Sequence, residues 1–169
     1  HGSTMDFDGS MAATGSVDEK IVARMPKRPY FDQKPPKTVD RDEFSARLAE
    51  NTEGLSVADG AATLTAFCAE CVVKACDFLP EAPKRWIVCG GGAHNPTLMR
   101  MIRQRLNAPV DIAREVKWDG DFIEAQGFAF LAVKSLFGLP FSFPSTTGVP
   151  HSMCGGMRHD AANVSKKIR

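Results

Sequence analysis

The sequence predicts an α/β fold, because short apolar runs typical of buried strands alternate with longer segments of helical periodicity. Residues 86–89 form the clearest apolar run, and residues 109–113 form a second one. A segment with one apolar helical face separates them, and further helical patterns precede and follow this pair. Ligands in such folds bind beyond the carboxyl ends of strands, so the residues that follow residue 89 are candidates for a site.

The composition indicates an ordinary globular protein. The 169 residues can bury one substantial core, and 43% of them are hydrophobic and 24% charged. A net charge of +1 gives no overall field that would favour nucleic acid or an anionic membrane surface. The sequence lacks an apolar run of membrane-spanning length and an apolar signal-peptide core. We therefore predict a cytoplasmic protein that binds neither nucleic acid nor membrane.

Three helices are predicted before the first strand. One short helix is expected near residues 17–25 and another over residues 40–50. A longer helix should cover about residues 61–79, where Pro80 ends it. Apolar side chains repeat along this longer helix at spacings of three and four, namely Leu64, Phe67, Cys71, Ala75 and Phe78.

The cysteines and histidines leave two alternatives open. Three thiols fall within the longer helical pattern, where Cys-x-x-Cys spacing could serve metal or redox chemistry, but packing in the core is favoured: Cys68, Cys71 and Cys76. A glycine-rich segment near the end holds three further potential zinc ligands without paired spacing, and these are interpreted as loop residues: His151, Cys154 and His159.

The glycines at positions 90, 91 and 92 join the first strand to a well-marked helix. Asn95 stands at the capping position and Pro96 at the first helical position, where its missing N–H costs nothing. Glycines permit positive φ values and let a ligand lie against bare backbone. Neither a P-loop nor a dinucleotide fingerprint is present in the sequence. The residues alone leave a tight turn and a nucleotide site equally favoured.

A helix over residues 121–137 is apolar around most of its circumference, which predicts burial on most sides. Glu124 lies within it, and a carboxylate in such a setting must be paired, used for capping or used in chemistry. The spacing Asp121-x-x-Glu124 is that of a capping box, and the residues alone favour that role.

Four sequence blocks follow one another in order along nearly the whole chain. They are Asp8-Gly9-x-x-Ala12-x-x-Gly15; Pro29-Tyr30-Phe31 with Pro35-Pro36-Lys37-x-x-Asp40-Arg41-x-x-Phe44; Cys89-Gly90-Gly91-Gly92-Ala93-His94-Asn95-Pro96; and Asp121-x-x-Glu124-Ala125-x-x-Phe128-Ala129-x-Leu131-Ala132. The last block is followed by Gly138-x-Pro140 and Pro144-x-Thr146-Thr147-Gly148. Their order and spacing resemble the C-terminal half of anhydro-N-acetylmuramic acid kinase, a family of cell-wall recycling enzymes. This family belongs to the superfamily of sugar kinases, actin and heat-shock ATPases.

The resemblance implies a fold, a domain organisation and a set of partners. The fold would be the C-terminal lobe of an actin-like or hexokinase-like ATPase, with a mixed sheet flanked by helices. Residues 1–4 would be a remnant of the expression vector, residues 5–44 a connector from the inter-lobe region, and residues 45–169 the nucleotide-side lobe. The partners would be ATP and 1,6-anhydro-N-acetylmuramic acid, and the arrangement is compatible with a homodimer.

The resemblance also implies roles for individual residues. The family opens the 1,6-anhydro bond with water and transfers the γ-phosphoryl group of ATP to the freed 6-hydroxyl. Gly90, Gly91, Gly92 and Asn95 would line the adenosine pocket, and Glu124 would be catalytic and face the sugar. Contacts to Mg²⁺ and the first phosphate-binding loop would come mainly from a lobe that this sequence lacks, so we predict that the chain alone is inactive.

A truncated, non-catalytic module that binds a nucleotide or sugar is the alternative reading. A native start at Met5 would favour this module, whereas native coding sequence before it would favour the kinase. The kinase reading leaves open an expressed piece, a proteolytic fragment or a truncated gene. A thiol-based or zinc-binding regulator is a third reading that rests only on the clustered cysteines.

Overall fold

The computed structural model consists of helices and a small parallel sheet and describes residues 5–26, 29–40, 48 and 50–159. The helices are α1 (Ser10–Thr14), α2 (Glu19–Arg24), α3 (Pro29–Asp32), α4 (Val57–Ala75), α5 (Pro96–Arg105), α6 (Ile123–Leu136) and α7 (Pro144–Thr147). The strands are β1 (Trp86–Val88) and β2 (Val110–Ile112). Short 3₁₀ turns cover Phe7–Gly9, Cys76–Phe78, Gly91–His94 and Ala113–Val116.

The chain divides into two units, one of His1–Lys34 with Thr38–Ile123 and one of Pro35–Lys37 with Glu124–Arg169. The mixture of helices with a small parallel sheet confirms the predicted α/β class. No helix among the described residues is both long and apolar enough to cross a bilayer.

The sheet of the first unit consists of β1 and β2 side by side in parallel. Trp86 is opposite Val110, and Val88 is opposite Ile112. Helix α5 makes the crossover between the strands, which is the connection that parallel neighbours require. Both predicted strands are confirmed, although each is shorter than its apolar run.

Helix α4 provides the centre of the core. Ala62, Ala66 and Ala69 are fully buried, and their small side chains let neighbouring helices come close. One core cluster joins α2, α4, α5 and β2 through Val22, Ala66, Ala69, Met99, Met101, Ile102 and Val110. A second cluster consists of Met25, Phe31 and Phe67. Burial of these side chains supplies most of the favourable free energy of folding.

Helix α4 begins four residues earlier than the periodicity predicts. The Ser56 hydroxyl accepts a hydrogen bond from the Asp59 N–H at 3.1 Å, so Ser56 is the N-cap. The apolar pattern starts only after this first turn, which is why the sequence placed the helix start too late. The predicted short helix near residues 17–25 is confirmed as α2. For the predicted helix at 40–50, residue 40 has no regular secondary structure and residues 48 and 50 are helical, whereas residues 41–47 and 49 lie outside the described residues.

The expectation that all three helix cysteines fill the core is wrong for Cys68, which is exposed. The alanines, Thr63 and Phe67 form the buried face of α4, and Cys68 lies outside it. Cys71 packs against the second core cluster, as predicted, and Cys76 is partly buried. Burial raises the pKa of Cys71 to about 12, so this thiol stays protonated at neutral pH and is a poor nucleophile or metal ligand.

The second unit contains most of α6, then α7 and an antiparallel bridge between Ser142 and Met153. The Ser135 hydroxyl donates to the Gly155 carbonyl at 2.6 Å, and the Lys134 ammonium donates to the Pro140 carbonyl at 3.1 Å. These polar contacts hold the segment after α6 against the helix.

The prediction that α6 is buried on most sides is wrong for the structure as described. No described residue of α6 is buried, and large apolar side chains in and around it are exposed: Phe122, Phe128, Phe130, Val133, Leu136 and Phe137. The described part of the chain supplies no surface that covers them. The apolar sequence therefore marks a surface of α6 rather than a core.

Candidate functional site

An open cleft of about 540 Å³ lies at the carboxyl ends of β1 and β2. Its apolar floor includes Val88 and Ile112, the last residues of the two strands, and Ala113, which follows β2. A parallel sheet brings the ends of its strands together at one edge, so the strand ends and the loops after them line the same space. All lining residues belong to the first unit.

The glycine turn forms one wall of the cleft through Gly90, Ala93 and His94. Gly90 has φ 74° and ψ −175°, a conformation that is essentially restricted to glycine. Its N–H donates to the carbonyl of Gly120 at 3.2 Å and so fastens the turn to the opposite loop. A Cβ added at Gly90 or Gly91 would meet no protein atom within 4 Å, so both residues present bare backbone to open space.

Asn95 lies between the glycine turn and α5 and caps this helix. Its side-chain oxygen accepts the Leu98 N–H at 2.9 Å, which confirms the predicted N-cap of α5. A Cβ on Gly9 would overlap the Asn95 amide, and the Thr97 hydroxyl donates to the Gly9 carbonyl at 2.8 Å. Asn95 therefore joins α5 to the loop at Gly9. Of the four residues predicted to contact a nucleotide, Gly90 lines the cleft, whereas Gly91, Gly92 and Asn95 are not among its lining residues.

His94 and Asp121 form a polar pair across the cleft. The His94 Nε2 lies 2.6 Å from the Asp121 Oδ1, and both side chains are more than half exposed. Helix α6 begins at Ile123, so Asp121 lies two residues before its first turn, and its carboxylate contacts His94. The capping box of Asp121 and Glu124 stays a prediction.

The segment that follows β2 forms the remaining wall. The Glu115 carboxylate accepts the Ile112 N–H at 2.7 Å, and the Trp118 N–H donates to the Ala113 carbonyl at 2.9 Å. Lys117 has φ 62°, which turns the chain so that Trp118 stands at the cleft. The sequence analysis assigned no role to this segment, so the positions of Arg114, Lys117 and Trp118 in the cleft were missed.

Glu124 is exposed on the first turn of α6, in the second unit, and is not among the residues that line the cleft. Across the described residues, no three His, Cys, Asp or Glu side chains are grouped to hold a metal ion. The Cys154 thiol lies 3.1 Å from the Gly138 carbonyl and contacts it as a donor. Cys154 therefore has a structural partner within the C-terminal loop.

The arrangement defines a class of protein. An apolar floor, bare glycine backbone and a few charged groups form a concave site, and its volume falls in the range of about 300–1,000 Å³ that small-molecule sites occupy. The chain is thus an α/β protein with a ligand cleft at the carboxyl ends of parallel strands.

Comparison with known families gives a particular assignment. A model of the anhydro-N-acetylmuramic acid kinase family matches residues 1–159, so the chain belongs to this family. An anhydro-N-acetylmuramic acid kinase of Acidiphilium cryptum is 50% identical over 155 residues, covering 92% of this chain and 43% of the relative. Relatives of the same name from Methylobacterium nodulans and Paramagnetospirillum magneticum are 51% and 48% identical, covering 90% and 94% of this chain. The chain spans only 40% and 44% of the length of these two relatives.

Proposed function

We propose that the whole protein is an ATP-dependent sugar kinase of cell-wall recycling in the cytoplasm. It would hydrolyse the 1,6-anhydro bond of 1,6-anhydro-N-acetylmuramic acid and phosphorylate the freed 6-hydroxyl. The observation that carries this proposal is membership in the kinase family over residues 1–159. The cleft at the strand ends supports it, because its volume and apolar floor suit the nucleoside part of ATP.

The adenosine part of ATP is proposed to bind at Gly90, Gly91, Gly92 and Asn95. The backbone of Gly90 supports this, because it lines the cleft in a conformation that only glycine adopts readily. The open space beside Gly91 also supports a close approach of ligand to backbone. The Asn95 side-chain oxygen already accepts the Leu98 N–H, so its NH₂ group is the part that would donate to a ligand.

The chain is proposed to be the C-terminal, nucleotide-side lobe of an actin-like or hexokinase-like fold. Residues 45–169 would form this lobe, residues 5–44 would come from the inter-lobe connector, and residues 1–4 would be a vector remnant. The relatives are more than twice as long as the matched segment, which supports a second lobe. The exposed apolar side chains of α6 support the proposal that further polypeptide covers them in the whole protein.

The magnesium ion of the reaction does not fit the residues described. No group of three acidic or other metal-ligating side chains occurs among them, so we propose that Mg²⁺ is held mainly by the rest of the protein. When bound with ATP, Mg²⁺ would neutralise charge on the phosphates.

Glu124 is proposed to be catalytic. Its carboxylate is exposed on the first turn of α6, and the Asp121 carboxylate contacts His94. An exposed carboxylate could orient the attacking water and accept its proton as the anhydro bond opens. The freed 6-hydroxyl would then accept the phosphoryl group.

The test compares this chain with a protein extended to the length of the relatives. Each is mixed with ATP, Mg²⁺ and 1,6-anhydro-N-acetylmuramic acid, and the phosphorylated sugar is measured. We expect product from the extended protein and none from the chain alone. In the extended protein, Glu124→Gln should lower turnover about 100-fold or more while leaving the melting temperature nearly unchanged.

Two outcomes would contradict the proposal. If the extended protein binds neither ATP nor the sugar, the kinase assignment is wrong for this sequence. If Glu124→Gln lowers the melting temperature while turnover stays the same, Glu124 has a structural role. Gln126→Glu on the same turn is the matched control, because it also changes one charge beside Glu124.

A further inference from the structure

We infer that Trp118 is the base-stacking residue of the cleft and that the cleft binds the nucleoside end of its ligand, not the polyphosphate. This inference deepens the proposed function and depends on it. It assigns the ring of Trp118 to one face of the adenine.

A backbone hydrogen bond holds Trp118 in position, while the residue remains exposed to solvent. Its N–H donates to the Ala113 carbonyl at 2.9 Å, and the preceding Lys117 turns the chain with φ 62°. The Trp118 side chain lines the cleft and is 56% exposed. A large aromatic ring held at the mouth of an apolar cleft offers a flat surface on which a heteroaromatic base can stack.

The charges around the cleft argue against a polyphosphate site. Arg114 and Lys117 supply two positive charges to the lining, and Asp119 and Asp121 supply two negative ones. These four charges cancel, so the lining gives a triphosphate no net attraction, and its two carboxylates repel phosphate. Carboxylates accept hydrogen bonds from hydroxyl groups, however, so Asp119 and the Asp121 oxygen that does not contact His94 suit the ribose.

Close packing at Gly120 holds the segment after β2, which carries Trp118, in its position. A Cβ added there would lie 3.1 Å from the Ala113 Cβ, so the chain passes closely over the end of β2. The Gly120 carbonyl also accepts the Gly90 N–H at 3.2 Å. Trp118 is therefore two residues from a hydrogen bond that joins the two walls, which holds the backbone that carries its ring in place.

The experiment measures binding to the 169-residue chain by calorimetry with ATP, adenosine and inorganic tripolyphosphate. Adenosine should bind within about tenfold of ATP, and tripolyphosphate should not bind. Trp118→Ala should weaken ATP and adenosine alike by about tenfold or more, whereas Trp118→Phe should cost only a fewfold, because it keeps an aromatic face. Phe137→Ala is the matched control, since Phe137 is a more exposed aromatic residue that does not line the cleft.

Fluorescence gives a second readout in which Trp118 itself is kept. The chain has two tryptophans, and Trp86 packs partly buried against the core. In a Trp86→Phe background, adenosine should quench the remaining Trp118 emission in a saturable way.

The outcomes separate this inference from the proposed function. If ATP does not bind even the extended protein, the proposed function fails. If ATP binds but Trp118→Ala binds as tightly as the parent, or if tripolyphosphate binds as tightly as ATP, the inference is wrong and the kinase proposal stands. If Trp118→Ala does not fold, the affinity of Trp118→Phe and the fluorescence quenching test the inference. A tenfold or larger loss of ATP affinity in Trp118→Phe would overturn the inference. Absence of quenching when adenosine is bound would overturn it as well.

Discussion

Small residues at single positions determine how closely the segments of the first unit approach one another. A Cβ added at Gly15 would overlap the Ala58 carbonyl, and one added at Gly9 would overlap the Asn95 amide. Ala12, between them, is 1% exposed. The block Asp8-Gly9-x-x-Ala12-x-x-Gly15 is therefore explained by packing, since any larger side chain would separate α1 from α4 and α5.

Gly90 and Gly91 give a matched test at the residue scale. Gly90→Ala should lower the free energy of unfolding by about 1–3 kcal/mol, because alanine must adopt a conformation that suits only glycine. Gly91→Ala should change it by about 1 kcal/mol or less, because Gly91 has no positive φ and the added Cβ meets open space. Urea unfolding of both variants measures the difference. Equal losses for the two variants would mean that the backbone at Gly90 is not restricted as described.

The elements of the first unit are held together mainly by apolar packing and by side chains that satisfy helix ends. The buried Thr63 hydroxyl on α4 accepts the Asp18 N–H at 3.0 Å just before α2, and Asp18 itself accepts the Lys20 and Ile21 N–H groups. Arg105 at the end of α5 pairs with Glu19 at the start of α2 at 2.7 Å. These polar contacts thus hold α2 against α4 and α5.

The cap of α5 offers a prediction at the scale of the element. Asn95→Ala should lower the free energy of unfolding by about 1 kcal/mol, because the Leu98 N–H loses its acceptor. Asn95→Asp keeps an oxygen at the cap and should retain most of the stability. If the Asn95 NH₂ donates to ATP, Asn95→Asp will weaken ATP binding to the extended protein although the helix end is intact. Unchanged ATP affinity in Asn95→Asp would limit Asn95 to the capping role.

At the scale of the whole molecule, the core lies entirely in the first unit among the described residues. Each buried hydrophobic side chain in that part of the chain belongs to a segment before residue 124. The second unit, as described, is held by hydrogen bonds and partly exposed apolar contacts. We therefore expect it to exchange its amide hydrogens faster than α4 or α5.

Two carboxylates make the stability of the first unit depend on pH in the acid range. The Met11 and Ala12 N–H groups donate to Asp6, and the Ser16 N–H donates to Asp59, which lowers the pKa of both carboxyls below the usual value of 3.8. The folded state then binds protons less readily than the unfolded state, so this stabilisation is complete above pH 3.8 and is lost as pH falls through the lowered pKa values. The urea midpoint should fall over that window, and Asp6→Asn with Asp59→Asn should flatten the fall. A pH dependence that is the same in parent and double variant would contradict this explanation.

Much of the fold could be predicted from the sequence, because its signals were local. The strands at 86 and 110, the cap at Asn95 and the short helix α2 each rest on a few neighbouring residues. The exposure of α6 could not be predicted, since an apolar helix looks the same whether its own chain or another surface covers it.

The site was only partly predictable for a similar reason. Gly90 was found because a strand runs directly into it, and it does line the cleft. His94, Lys117 and Trp118 enter the cleft only because β1 and β2 pair in parallel and bring two distant loops together. No local spacing encodes that pairing. The roles of Gly90, Gly91, Gly92, Asn95 and Glu124 in binding or catalysis stay predictions.

The hydrogen bond from Gly90 to Gly120 links ligand recognition to the thermodynamics of folding. The cleft exists only when the loops after both strands are in place, so an unfolded chain has no equivalent site. By mass action, a ligand at about one hundred times its dissociation constant would add about 2.7 kcal/mol to the free energy of unfolding. A shift of the melting curve can therefore identify what the cleft holds without any measurement of catalysis.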